Sequence, residues 1–135
     1  MKIMSVDLGL ARTGVAVSDE SGGFAFPKCV ITEYNKEKLI EKIIEIAKAE
    51  KAGRIVVGLP VNMDGSRGER AETCTEIAKE IQEKGNIETV LWDERGTTIT
   101  ANNYLNENNV RGKKRKQTVD AVAATIILED YLRSL

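Results

Sequence analysis

Apolar and polar positions alternate early in the chain and take a helical period later. Lys2 to Leu8 is a short apolar run, and Gly14 to Ser18 and Phe24 to Thr32 carry the same strand pattern. Ser21-Gly22-Gly23 between the last two is a turn signal, so these three segments are expected to form antiparallel hairpins. The period then changes. Leu39, Ile40, Ile43, Ile44 and Ala47 recur at helical spacing behind Asn35. They predict a helix capped by Asn35, running to about Lys51 and ended by Gly53. Arg54 to Leu59 is a short apolar run of the kind buried in a parallel sheet. A loop is expected over Pro60 to Gly65. Ser66-Arg67-Gly68-Glu69 reads as a capping box opening a helix with the stripe Cys74, Ile77, Ala78 and Ile81, ended by Gly85. Glu88 to Trp92 predicts a fifth strand, Thr98 to Asn106 a third helix, and Thr118 to Arg133 a final helix.

The order is three strands, helix, strand, helix, strand and two helices. An antiparallel hairpin leading into βαβ units gives a mixed five-stranded sheet with helices on both faces. This α/β order resembles a ribonuclease H-like domain; a flavodoxin-like fold would alternate strand and helix from the start. With 135 residues, 41% of them hydrophobic, one domain spanning residues 1–135 is expected, with a core that needs no disulfide.

Composition narrows the chemistry. The chain has no histidine, which removes Ser-His-Asp and Cys-His catalysis and every imidazole zinc site. Cys29 and Cys74 match no metal-ligand spacing and read as buried free thiols. The longest apolar run, Ile55 to Val61, is too short to span a bilayer and contains Gly58 and Pro60. The chain starts directly into a strand without a signal-peptide pattern, so a cytoplasmic location without membrane attachment is expected. Net charge is −1, but Arg111, Lys113, Lys114, Arg115 and Lys116 place five positive charges within six residues. That segment reads as a mobile loop suited to a polyanion, on a body that is otherwise acidic.

Three acidic positions stand out. Asp7 ends the first strand and precedes the tight turn Gly9-Leu10-Ala11-Arg12-Thr13-Gly14. Glu94 follows the fifth strand, with Asp93 beside it. Asp120 is expected in the first turn of the last helix, on the side of Ala123, Ala124 and Ile127. Brought together, three carboxylates are unfavourable unless cations fill the cleft. Oxygen ligands of this kind suit Mg²⁺ or Mn²⁺, and two such ions about 3.5–4 Å apart activate water and stabilise the leaving oxygen of a phosphodiester. Arg12, Arg67, Arg70, Lys113, Lys114 and Lys116 are the residues expected to bind the phosphate backbone. The free amides at the start of the second helix, beside the Gly58 to Ser66 loop, are expected to face substrate phosphate.

Four segments then carry a family resemblance: Asp7 to Asp19; Gly58-Leu59-Pro60 with Asn62-Met63-Asp64-Gly65-Ser66; Asp93-Glu94-Arg95 with Thr97-Thr98; and Asp120-Ala121-Val122-Ala123-Ala124 running into Leu128 and Tyr131-Leu132. In this order they resemble the YqgF family, also called RuvX, whose members are described as Holliday junction resolvases and as pre-16S ribosomal RNA nucleases. The resemblance implies a ribonuclease H-like fold and metal-dependent phosphodiester hydrolysis. It also implies processing of the ribosomal RNA precursor alongside ribosome-assembly partners. Carried over by position, the acidic, metal-holding site falls on Asp7, Glu94 and Asp120, with Asp93 the rival for the middle place, and Arg95 joins the substrate-binding residues. The family usually has a bulky apolar residue after Asp-Glu-Arg, where this chain has Gly96.

Other readings stand beside this one. An actin-like ATPase shares the Asp-x-Gly turn but needs a second domain. A non-catalytic nucleic-acid-binding protein needs only the basic segment. Within the enzyme class, a resolvase acting on branched DNA is the alternative to an RNA nuclease, because both substrates are read largely through backbone and shape.

Overall fold

The computed structural model describes residues 1–9, 11–59, 68–93 and 112–135, with the backbone alone over residues 112–120. Among the described residues, five strands and three helices follow in the order β1 (Ile3–Asp7), β2 (Arg12–Ser18), β3 (Ala25–Thr32), α1 (Lys36–Ala49), β4 (Arg54–Leu59), α2 (Glu69–Gly85), β5 (Glu88–Asp93) and α3 (Gly112–Arg133). The sheet runs β3-β2-β1-β4-β5. β1, β2 and β3 are antiparallel neighbours, whereas β4 and β5 join β1 in parallel, as expected for a mixed sheet.

Strand alternation divides the core in two. Met4, Val6, Val15, Val17, Ile55 and Val57 face α1 and α2, which cover them with Ile40, Ile43, Ala47, Cys74, Ala78 and Ile81. Ile3, Ala16 and Val56 face the other way, under Ala124, Ile127, Leu128 and Tyr131 of α3. α1 starts where its pattern predicts, with the Asn35 side chain accepting from the Lys38 amide. Its left-handed stop is Lys51, however, and that of α2 is Asn86, each beside the glycine region that the sequence marks. Gly53 instead donates to the Lys2 carbonyl and leads into β4, and Gly85 packs against Ile44. Cys74 is buried, as expected, whereas Cys29 is only half-buried; neither forms a disulfide, and burial pushes the Cys29 thiol up.

Two further expectations need correction. The N-cap of α2 is Gly68, extended at φ −98° and ψ −174° and without a side-chain cap bond, so the helix does not open at Ser66. Starting there would place Gly68 inside the helix, at a cost of about 1 kcal/mol against alanine. The basic segment is the second correction: from Gly112 on it is helix rather than loop, the first turns of α3. Lys113, Lys114, Arg115, Lys116 and Gln117 are strong helix formers, and no breaker separates them from the buried stripe further on. Asp120 therefore lies in the third turn of α3, away from the terminal turn where a helix dipole would act. The expected Pro60 to Gly65 loop and Thr98 to Asn106 helix lie outside the described residues.

Candidate active site

The first strand delivers Asp7 to the carboxyl edge of the sheet. Ile3, Ser5 and Asp7 alternate onto the α3 face, while Met4, Val6 and Leu8 enter the other core. The partner of Asp7 on β2 is Gly14. On the other side, β4 pairs in parallel with Val6 opposite Val57, so the next residue, Gly58, lies level with Asp7. Asp7 thus stands between two strand positions without side chains. Both glycines are buried. The turn behind Asp7 is held from two sides. Arg70 of α2 donates to the Leu8 carbonyl at 2.7 Å, and the Glu33 amide donates to the Ala11 carbonyl at 3.0 Å. Gly9 backs directly onto the Arg12 carbonyl, where a Cβ would collide with backbone.

α3 runs across β1, β2 and β3 on the same face. Its direction is fixed by two contacts. Tyr131 accepts from Arg54, the partner of Ile3 at the start of the sheet, and Ala124 accepts from the Ser5 hydroxyl at 2.6 Å. Towards the carboxyl edge the next level of β1 is Asp7. One turn earlier along α3, about 6 Å by helical rise, is Asp120. The backbone therefore carries Asp7 and Asp120 to the same end of the same face. Residues 112–119 continue α3 past that level, which brings the helical positions of Lys113, Lys114 and Lys116 to the carboxyl edge as well.

β5 ends at the same edge, with Gly58 opposite Trp92 and Leu59 opposite Asp93. Val90 and Trp92 belong to the α3 face and Leu91 to the opposite core, so alternation puts Asp93 on the face away from Asp7. Arg12 begins β2 two residues before Gly14 and shares the face of Asp7. Arg70 comes to the Leu8 carbonyl, immediately behind Asp7. Glu94, Arg67 and Arg95 lie outside the described residues. Among the described residues no three His, Cys, Asp or Glu side chains gather as a metal cluster. Sequence reasoning missed Ser5, Gly14 and Gly58. The available signal was a serine inside the apolar run Ile3-Met4-Ser5-Val6, two residues from Asp7.

Solved structures share this architecture. Thermus thermophilus RuvC in complex with a Holliday junction substrate matches over 99% of this chain and 94% of that one, with a TM-score of 0.62 at 11% identity. The Holliday junction resolvase of fowlpox virus matches over the full length of both chains, with a TM-score of 0.59 at 12% identity. At such identities the likeness is one of fold, and the fold is ribonuclease H-like, of the kind RuvC-type resolvases have. Sequence takes the assignment further: the chain belongs to the RuvX family, whose model, described as Holliday junction resolvase, matches residues 1–134. A relative from Bacillus cytotoxicus named "Putative pre-16S rRNA nuclease" is 42% identical over 99% of both chains.

Proposed function

We propose that this chain is a metal-dependent nuclease that hydrolyses phosphodiester bonds in the precursor of 16S ribosomal RNA. The observation that supports the reading is Asp7 at the carboxyl edge, between Gly14 and Gly58, on the face that α3 crosses, with the Asp120 backbone one helical turn beyond Ala124 towards that edge. The close relative's name supports the RNA substrate, and family membership supports nuclease chemistry. Asp93 faces away, so Glu94 is the third ligand in this reading. Hard carboxylate oxygens without histidine or thiolate fit Mg²⁺ or Mn²⁺. The chemistry such ions would supply when bound is activation of a water and charge stabilisation at the leaving oxygen. Asp7, Glu94 and Asp120 would hold them. Arg12, Arg67, Arg70, Arg95, Lys113, Lys114 and Lys116 neutralise the flanking phosphates and fix the strand without reading its bases.

A second reading is resolution of branched DNA, which the description of the family model favours. One experiment separates the two. Precursor 16S RNA, linear RNA and a four-way DNA junction are incubated side by side with and without Mn²⁺. Cleavage of the precursor that requires Mn²⁺ and exceeds cleavage of the junction is the expected result. Preferred junction cleavage favours the resolvase, and binding without cleavage of any substrate favours a non-catalytic role.

A further inference from the structure

Ser5 is fully buried in the middle of β1, between Met4 and Val6, and points at α3. Its hydroxyl donates to the Ala124 carbonyl at 2.6 Å. That carbonyl already lies within the helical ladder of α3, and its second lone pair takes the hydroxyl. The carbonyl does not need the serine, but the serine needs the carbonyl, because a buried hydroxyl without a partner is costly. The rest of the contact is apolar and non-directional, formed by Ile3, Ala16, Val56, Ala124, Ile127 and Leu128. Such packing resists separation more than sliding. At the far end, α3 is tied by Arg54 to the Tyr131 hydroxyl at 2.7 Å and by Trp92 to Asp130 at 2.8 Å. Those long side chains follow a small slide of the helix, whereas the short Ser5 side chain does not.

The position of this bond matters as much as its rigidity. Ser5 is two residues from Asp7 along β1, and Ala124 is one turn from Asp120 along α3. Both offsets lead to the same edge. We infer that Ser5 is a positioning residue whose bond to Ala124 sets the spacing between Asp7 and Asp120 and so the affinity of the site for divalent cations. The inference rests on the nuclease reading given above. Mg²⁺ and Mn²⁺ sites tolerate little displacement of their carboxylates, since Mg²⁺ requires near-octahedral oxygens at about 2.0–2.1 Å.

The test compares Ser5→Ala with Ser18→Ala. Ser18 is also buried and accepts from the Ile3 amide at 2.8 Å, but at the opposite end of the sheet. Mn²⁺ binding is titrated calorimetrically without substrate, and melting temperature, kcat and KM are measured in parallel. Ser5→Ala is expected to weaken Mn²⁺ binding roughly 10–100-fold, the range for partners that orient metal ligands, and to lower kcat while KM for nucleic acid changes little. Ser18→Ala, which orphans a buried amide, is expected to lower the melting temperature at least as much and leave Mn²⁺ affinity within about twofold of the parent, below that range. Parent-like Mn²⁺ affinity in Ser5→Ala overturns the inference, as does an equal loss in both variants. A parent protein that binds no Mn²⁺ overturns the nuclease site reading and this inference together. A parent that binds it while Ser5→Ala binds it equally well overturns only the role of Ser5.

Discussion

Asp7 and the turn behind it decide most at the scale of single residues. Asp7→Asn keeps the shape of the side chain and removes its negative charge. Cleavage is expected to fall by more than the roughly 10–100-fold that metal-orienting partners cost. If Asp7, Glu94 and Asp120 share one metal-free site, the melting temperature should hold or rise, because the substitution relieves repulsion between like charges. A thermal melt beside a cleavage assay checks both halves, and undiminished activity in this variant would sink the proposed mechanism. Gly9 is needed for a different reason. Its back touches the Arg12 carbonyl, so a Cβ there has no space and the obstacle is backbone, which cannot rotate away. Gly9→Ala should destabilise the fold by about 1–3 kcal/mol, the usual cost of overpacking, measured by urea unfolding. It should also displace Asp7, so any folded fraction is expected to bind Mn²⁺ weakly.

At the scale of elements, the extra turns of α3 change how the basic residues work. A mobile loop can gather all its charges on one polyanion. A helix spreads Lys113, Lys114, Arg115 and Lys116 around its axis at about 100° per residue, so only part of the set shares a face. The positions of Lys113, Lys116 and Asp120 follow one another at helical spacing, and Lys114 does not belong to that row. Replacing Lys113, Lys114 and Lys116 by alanine should weaken binding to every nucleic acid tested. The slope of log affinity against log salt should flatten by roughly one unit for each phosphate that these lysines neutralise in the parent. Fluorescence anisotropy at several salt concentrations measures this, and an unchanged slope would remove these lysines from the interface. Alanine favours helix, so the substitutions should leave α3 intact, which circular dichroism checks.

Over the whole molecule, ion pairs tie together elements distant in sequence, and they set the response to acid. The Glu50 carboxylate after α1 receives Lys2 at 3.0 Å and Lys28 of β3 at 3.1 Å. The hydrogen bond from Lys2, then that from Lys28, holds its carboxyl below the ordinary carboxylate value. Glu33 is lowered in the same way by Lys42, and Asp19 by the Ser21 hydroxyl. A carboxyl lowered in the folded state stabilises the fold above its unfolded pKa, and that contribution is lost as pH falls through the folded value. Stability should therefore decline below the ordinary carboxylate range, and Glu50→Gln should make the decline shallower in melts taken across acidic pH. The sequence by itself determined the order of the described elements, the presence of helices on both faces of the sheet and the edge residue Asp7. Those follow from local periodicity and from a charge at the end of an apolar run, which neighbouring residues alone specify. The start of α2 at Gly68 and the helical state of residues 112–116 were misread, because turn and loop signals there competed with helix propensity over only a few residues. Only the tertiary structure decided that Gly14 and Gly58 flank Asp7, that Asp93 faces away from it, and that Ser5 meets Ala124. Each of these depends on strand register or on the seating of a helix, and both are set by contacts between residues far apart in the chain.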